Sequence, residues 1–132
     1  MKLLTIEDII AKKELVREQA KEQKCLITCT KLGGDFEAHS LSKGDLADVR
    51  SKMKDDYLVG IQYLIYMSID DLRDLKLLEA YECQTRSERI VERLFPQENE
   101  VSTIGEILMD LNGLGQLKPG QIFRKEIEDL KN

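Results

Sequence analysis

Thr85-Arg86-Ser87-Glu88-Arg89-Ile90-Val91-Glu92-Arg93-Leu94-Phe95-Pro96 is the stretch that sets the architecture. It opens on a Ser/Thr-x-x-Glu capping box, runs for one helix and stops at proline. Ile90, Val91, Leu94 and Phe95 fall on one side of that helix. A second stripe follows at Val101, Ile104, Leu108 and Leu111 and ends at Asn112-Gly113, a helix-stop pair. Upstream, Ser68 and Asp71 open a helix whose Leu72, Leu75, Leu78 and Tyr81 share a face. The C-terminal half is thus a run of short helices with strong punctuation between them.

Residues 57–67 are apolar nearly all round and follow the capping acids Asp55 and Asp56. A helix without a polar face belongs at the centre of a fold. Before it, Ser42 caps a helix with Asp45 in its first turn and Leu46, Val49 and Met53 on one face. Residues 24–41 carry the one β signal. Gly33-Gly34 between two short runs reads as a two-residue hairpin turn. That register sets Leu32 against Asp35, Cys29 against Ala38 and Ile27 against Ser40. One side then holds Cys25, Ile27, Cys29, Phe36 and Ala38, and the other Thr28, Thr30, Glu37 and His39. Helices are expected to cover the apolar side.

The two ends are more polar. Thr5 and Asp8 cap a helix over residues 6–22 with a partial stripe of Ile6, Ile9, Ile10 and Val16. After a loop over 114–120 turning at Pro119-Gly120, a last helix is expected over 121–131 with Ile122, Phe123, Ile127 and Leu130. The fold class is α+β: one mostly α-helical domain over 1–132. It comprises an N-terminal helix in 1–23, an antiparallel β-hairpin in 24–41 and a helical region in 42–132.

Composition agrees with a globular chain. Of 132 residues, 42% are hydrophobic and 34% charged. The net charge of −5, without a basic stripe, argues against a nucleic-acid partner. No apolar run approaches the roughly 20 residues a membrane helix needs, and no secretory signal opens the chain. The cytoplasm is the expected compartment. Three cysteines read as reduced core residues. On a strand Cys25 and Cys29 stand about 13 Å apart, beyond the roughly 6 Å Cα spacing of a disulfide.

The inventory for chemistry is thin. His39 is the single histidine, and it reads as a solvated strand residue opposite Thr28. With it facing away from the cysteines, no four-ligand zinc set can be drawn. Asp55-Asp56 and Asp70-Asp71 read as helix caps. Gly113-Leu114-Gly115 lacks the third glycine of a phosphate loop and follows a helix, not a strand. Tyr57, Tyr63 and Tyr66 read as core packing. No catalytic residue, cofactor or metal is assigned, and the chain is read as a non-enzyme.

The order of pieces resembles that of the XkdN-like tail assembly chaperones of phages and prophages of Gram-positive bacteria. The resemblance rests on Thr5-Ile6-Glu7-Asp8-Ile9-Ile10, the strand pair and the apolar central helix. It continues through Ile69-Asp70-Asp71-Leu72, Leu78-Glu79-Ala80-Tyr81 and Leu94-Phe95-Pro96. Glu98 or Glu100 opens the next helix, Leu111-Asn112-Gly113 closes it, and the chain ends Ile127-Glu128-Asp129-Leu130-Lys131-Asn132. Glu82, Gln97 and Leu114 depart from the family pattern, where glycine, glycine and an aromatic are common.

The resemblance implies a non-enzymatic chaperone that holds the tail tape measure protein soluble in the host cytoplasm. Tube subunits polymerise around that protein meanwhile. The chaperone is absent from the mature virion, and the tail tube protein is a further candidate partner. Ile122, Phe123, Ile127 and Leu130 are the candidate partner-binding residues, the other reading being that they dock the last helix on the core. The alternative is a small regulatory or adaptor protein that dimerises through its terminal helices. Sequence leaves the oligomeric state, the partner-binding face and the host open.

Overall fold

A computed structural model describes residues 3–127. The chain divides into two compact units. Of the described residues, 22–115 form the body, and 3–21 with 116–127 form the second unit. Among the described residues the chain is mostly α-helical with one two-stranded antiparallel sheet.

The body begins with β1 (Lys24–Cys29) and β2 (Gly34–His39). The hairpin is where the sequence places it, but the register differs. A 3-10 turn at Thr30–Leu32 lengthens the loop, and only Gly33 is left-handed (φ 79°). A type I′ two-residue turn needs both central residues left-handed, and a type II′ turn needs its first residue at ψ of about −120°, whereas Gly33 has ψ 24°. The Gly33 N–H instead donates to the Cys29 carbonyl at 3.0 Å. Cys29 then faces Gly34, Ile27 faces Phe36 and Cys25 faces Ala38. The partner of Ile27 moves from Ser40 to Phe36, which is four residues. An even shift preserves the faces. Ile27 and Ala38 are therefore buried, with Cys25, Cys29 and Phe36 packed at the edge of the core.

Next come α3 (Lys43–Asp55) and α4 (Tyr57–Ser68). Asp45 N–H donates to Ser42 Oγ at 3.2 Å. Asp56 Oδ1 caps α4 by accepting from Leu58 N–H at 3.1 Å and Val59 N–H at 3.3 Å. As expected, α4 is the central helix. Gly60, Ile61, Leu64, Ile65 and Ser68 are buried, and it packs against α3, the helix Ile90–Leu94 and the helix Glu98–Leu111. It is not buried all round: Tyr57 and Val59 are exposed. Tyr57 is thus not a core tyrosine, whereas Tyr63 and Tyr66 are half-buried against the core.

Two glycines set the close spacing of these helices. A Cβ on Gly60 would stand 2.7 Å from the Met53 backbone nitrogen and 2.8 Å from its Cα. A Cβ on Gly105 would stand 2.7 Å from Ile61 Cγ2. Missing side chains let α3 approach α4, and α4 approach the helix carrying Gly105.

The expected helix from Ser68 through Tyr81 is broken. A 3-10 turn at Asp70–Arg73 precedes α5 (Leu75–Ala80). Asp74 restarts the helix by accepting from Leu77 N–H at 3.1 Å. The restart rotates the face. Leu72 and Leu78 stay buried, but Leu75 is 82% exposed. At the end of α5, Cys83 N–H bonds Leu78 O at 2.7 Å and Glu82 N–H bonds Glu79 O at 3.1 Å. This is the Schellman arrangement, and its left-handed position is filled by Glu82 (φ 57°), among the described residues the one non-glycine there.

The Thr85–Glu88 capping box does not form. Ser87–Arg89 is a 3-10 turn leading into α6 (Ile90–Leu94), and no side chain caps that helix. Ser87 Oγ instead meets the Tyr66 hydroxyl at 2.9 Å. Ile90, Val91, Leu94 and Phe95 are buried as expected. α7 (Glu98–Leu111) buries Val101, Ile104, Gly105 and Leu108. It closes with a second Schellman pair around Gly113 (φ 71°): Leu114 N–H to Met109 O at 2.8 Å, and Gly113 N–H to Asp110 O at 3.0 Å. Asn112 does more than stop the helix. Its Oδ1 accepts from Leu41 N–H at 2.7 Å and so ties the exit of the hairpin to α7.

The second unit contains α1 (Ile6–Ala11) and α2 (Lys13–Ala20), the expected single helix interrupted at Lys12. Thr5 and Asp8 form the expected box, with Asp8 N–H on Thr5 Oγ1 at 3.2 Å and Thr5 N–H on Asp8 Oδ2 at 2.9 Å. Neither helix has a buried residue.

Candidate partner-binding surface

Apolar side chains left in solvent are where a protein without obvious chemistry can bind. In the second unit they are concentrated. Leu3, Leu4, Ile6, Ile9, Ile10, Leu15 and Val16 are all exposed on the N-terminal segment, and Leu117 is exposed on the C-terminal one. Of the four residues singled out in the sequence, Ile122 is 81% exposed, Phe123 60% and Ile127 73%. Leu130 lies outside the described residues.

These side chains do not share a helix face. Residues 121–126 are not helical, which corrects the expected last helix over 121–131; residues 128–131 of it lie outside the described residues. A short helix needs a buried apolar face to persist, and Ile122 and Phe123 bury none. The local bonds are those of a turn. Lys118 N–H donates to Gln121 Oε1 at 2.9 Å, Gln121 N–H donates to Lys118 O at 3.3 Å, and Gly120 is left-handed. Arg124 Nε pairs with Glu126 Oε1 at 3.1 Å, two residues apart, which is not a helical spacing.

The sequence reading named the stripe Ile6, Ile9, Ile10 and Val16 but not Leu3, Leu4, Leu15 or Leu117. Leu3 and Leu4 precede the cap at Thr5, Leu15 lies off the stripe and Leu117 lies in the expected loop, so none of them adds to a helical period and only the structure singles them out.

Among the recesses formed by the body's described residues are two with mixed apolar and charged linings. One, of about 330 Å³, has a floor of Ile27, Cys29, Phe36, Phe95, Ile104 and Ile107. Phe36 and Phe95 meet edge to face there with ring centroids 6.2 Å apart. Lys31 closes one side, with Nζ 2.9 Å from Glu100 Oε2 and 5.2 Å from the Phe95 ring centroid. The other, of about 360 Å³, lies among Lys52, Val59, Tyr63, Arg86, Arg89 and Glu92. Lys52 Nζ stands 4.8 Å from the Tyr63 ring centroid. Burial, and then the Asp48 and Asp45 carboxylates, push the Tyr63 hydroxyl above its ordinary value.

His39 differs most from its expected role. It is half-buried, stands across from Lys24 and not Thr28, and meets Asp70 at 2.8 Å. Asp70 is therefore an ion-pair partner and caps no helix with its side chain. Cys25, Cys29 and Cys83 are free thiols. Among the described residues no cluster of three or more His, Cys, Asp or Glu side chains could hold a metal ion. No helix among them is long and apolar enough to cross a membrane.

No protein-family model, no curated protein and no solved structure matches this chain.

Proposed function

We propose that this protein is a tail assembly chaperone that binds a phage tape measure protein and keeps it soluble while the tail tube assembles. The observation carrying the proposal is the set of exposed apolar side chains in the two terminal segments. A chaperone for a long coiled-coil protein needs apolar surface that can be covered and then released. Ile6, Ile9, Ile10 and Val16 on one segment and Ile122, Phe123 and Ile127 on the other supply such surface. A second observation supports the family resemblance. Glycine is common in the family after the tyrosine of Leu78-Glu79-Ala80-Tyr81, and that position is left-handed in this chain, with Glu82 in it. Glycine takes that conformation at no steric cost.

In this reading the chaperone acts in the host cytoplasm, performs no catalysis and leaves before the particle is complete. The tail tube protein is a second partner to test. Exposed stripes on α1 and α2 would also serve self-association, which is the adaptor alternative. Co-expression with a long coiled-coil tape measure protein separates the two. The chaperone reading predicts that the partner becomes soluble and co-purifies. A partner that stays insoluble, together with a stable dimer by light scattering, favours the adaptor.

A further inference from the structure

Charged groups from three parts of the body meet at the open end of the hairpin. His39 ends β2, Glu22 stands just before β1, and Asp70 and Arg73 belong to the 3-10 turn after α4. His39 Nδ1 lies 2.9 Å from the Ser40 carbonyl oxygen and 3.3 Å from Glu22 Oε1. Nε2 lies 2.8 Å from Asp70 Oδ1. A carbonyl and two ionised carboxylates can only accept hydrogen bonds. A neutral imidazole donates from one nitrogen and would turn a lone pair toward oxygen at the other. Only the imidazolium, with a proton on each nitrogen, satisfies both sides.

The link continues beyond the ring. Arg73 Nη2 bonds the same Asp70 oxygen. Arg73 Nη1 donates to the Tyr66 carbonyl at 2.7 Å and the Met67 carbonyl at 3.1 Å, both in the last turn of α4. One chain of charge-assisted bonds therefore runs from the hairpin to the end of the central helix. Other charges nearby do not cancel it. Lys24 faces His39 across the ladder, but its Nζ is 3.6 Å from Glu37 Oε1. Asp71, exposed on the same turn, adds negative charge.

We propose that His39 is a proton-operated clasp: doubly protonated, it fastens the hairpin to the turn after α4, and loss of one proton loosens that fastening. Burial works against the charge on His39. The Ser40 carbonyl, the bond to Asp70 and the Asp70 and Glu22 charges outweigh it and hold the ring above its ordinary value of 6.5. A raised value stabilises the fold fully below 6.5, and that contribution disappears as pH climbs through the folded value. Asp70 behaves in the opposite sense. Its bond to His39 first, and then Arg73, hold its carboxyl below the usual 3.8 against the effect of burial. Its contribution is present above 3.8 and is lost as pH falls through the lowered value. The clasp is closed between these two limits.

The 132-residue chain has a single histidine, so its imidazole Cε1–H resonance is unambiguous. Its NMR titration should give a midpoint above 6.5, and Asp70→Asn should lower that midpoint. A wild-type midpoint at or below 6.5, or an Asp70→Asn midpoint equal to wild type, overturns the proposal. As a second measurement, the wild-type urea midpoint should fall as pH rises past the His39 midpoint, and His39→Gln should flatten that fall. An equal pH dependence in both proteins also overturns it.

Discussion

α4 and α1 begin alike and end differently. Each is opened by an Asp or Thr cap with satisfied N–H groups, and each carries isoleucines, Ile6, Ile9 and Ile10 in α1 and Ile61 and Ile65 in α4. In α4 those isoleucines are buried; in α1 they are in solvent. Capping and helix propensity therefore make the helix, and a neighbour decides whether its apolar face contributes stability. The body spends its apolar residues on the fold. The terminal unit keeps several of its own available.

The largest effects should separate the two regions. Leu64→Ala or Ile65→Ala should cost about 2–5 kcal/mol in urea melts, because each leaves a cavity beneath α4. The same truncation at Ile9 or Ile10 should stay within about 0.5 kcal/mol, the usual range for exposed sites. Equal losses at Leu64 and Ile9 would erase the distinction. Gly60→Ala should cost about 1–3 kcal/mol, since the new methyl meets the Met53 backbone. A neutral Gly60→Ala would mean that α3 moves away freely and the body is loosely packed.

Two changes should leave the body unharmed or improve it. Glu82→Gly relieves a left-handed residue and should raise stability by about 1 kcal/mol. A loss there would mean that the Glu82 side chain contributes more than its backbone strain removes. Ser68 is fully buried and its Oγ has no hydrogen-bond partner among the described residues. Ser68→Ala should be neutral or gain up to about 1 kcal/mol, because no bond is broken. Calorimetry can rank the pair, with Glu82→Gly expected to melt higher.

How much of this was legible in the sequence depends on the kind of signal. A continuous apolar run marked α4, and apolar spacing marked the buried face of α6 and α7 and the two sides of the hairpin, because burial follows apolar content and spacing directly. Turn geometry was harder. Gly33-Gly34 announced a turn, but only the 3-10 turn at Thr30–Leu32 fixes which residues face each other. Asp74 looks like any other acid, yet it restarts α5 and sends Leu75 to solvent. Long-range polar links leave no local trace. Nothing between His39 and Asp70 in sequence announces that they meet, and the same is true of Leu41 and Asn112. Among the candidate binding residues, exposure of Ile122, Phe123 and Ile127 agrees with a surface role, but their expected helix does not form over 121–126.

The central claim is the proposal that the exposed apolar side chains of the terminal segments bind a partner. Phe123→Glu tests it most directly. The variant should keep the wild-type urea midpoint, because Phe123 is 60% exposed. Co-expressed with the proposed tape measure partner, it should recover less soluble partner than wild type does. A variant that unfolds, or one that recovers as much soluble partner as wild type, would contradict the account.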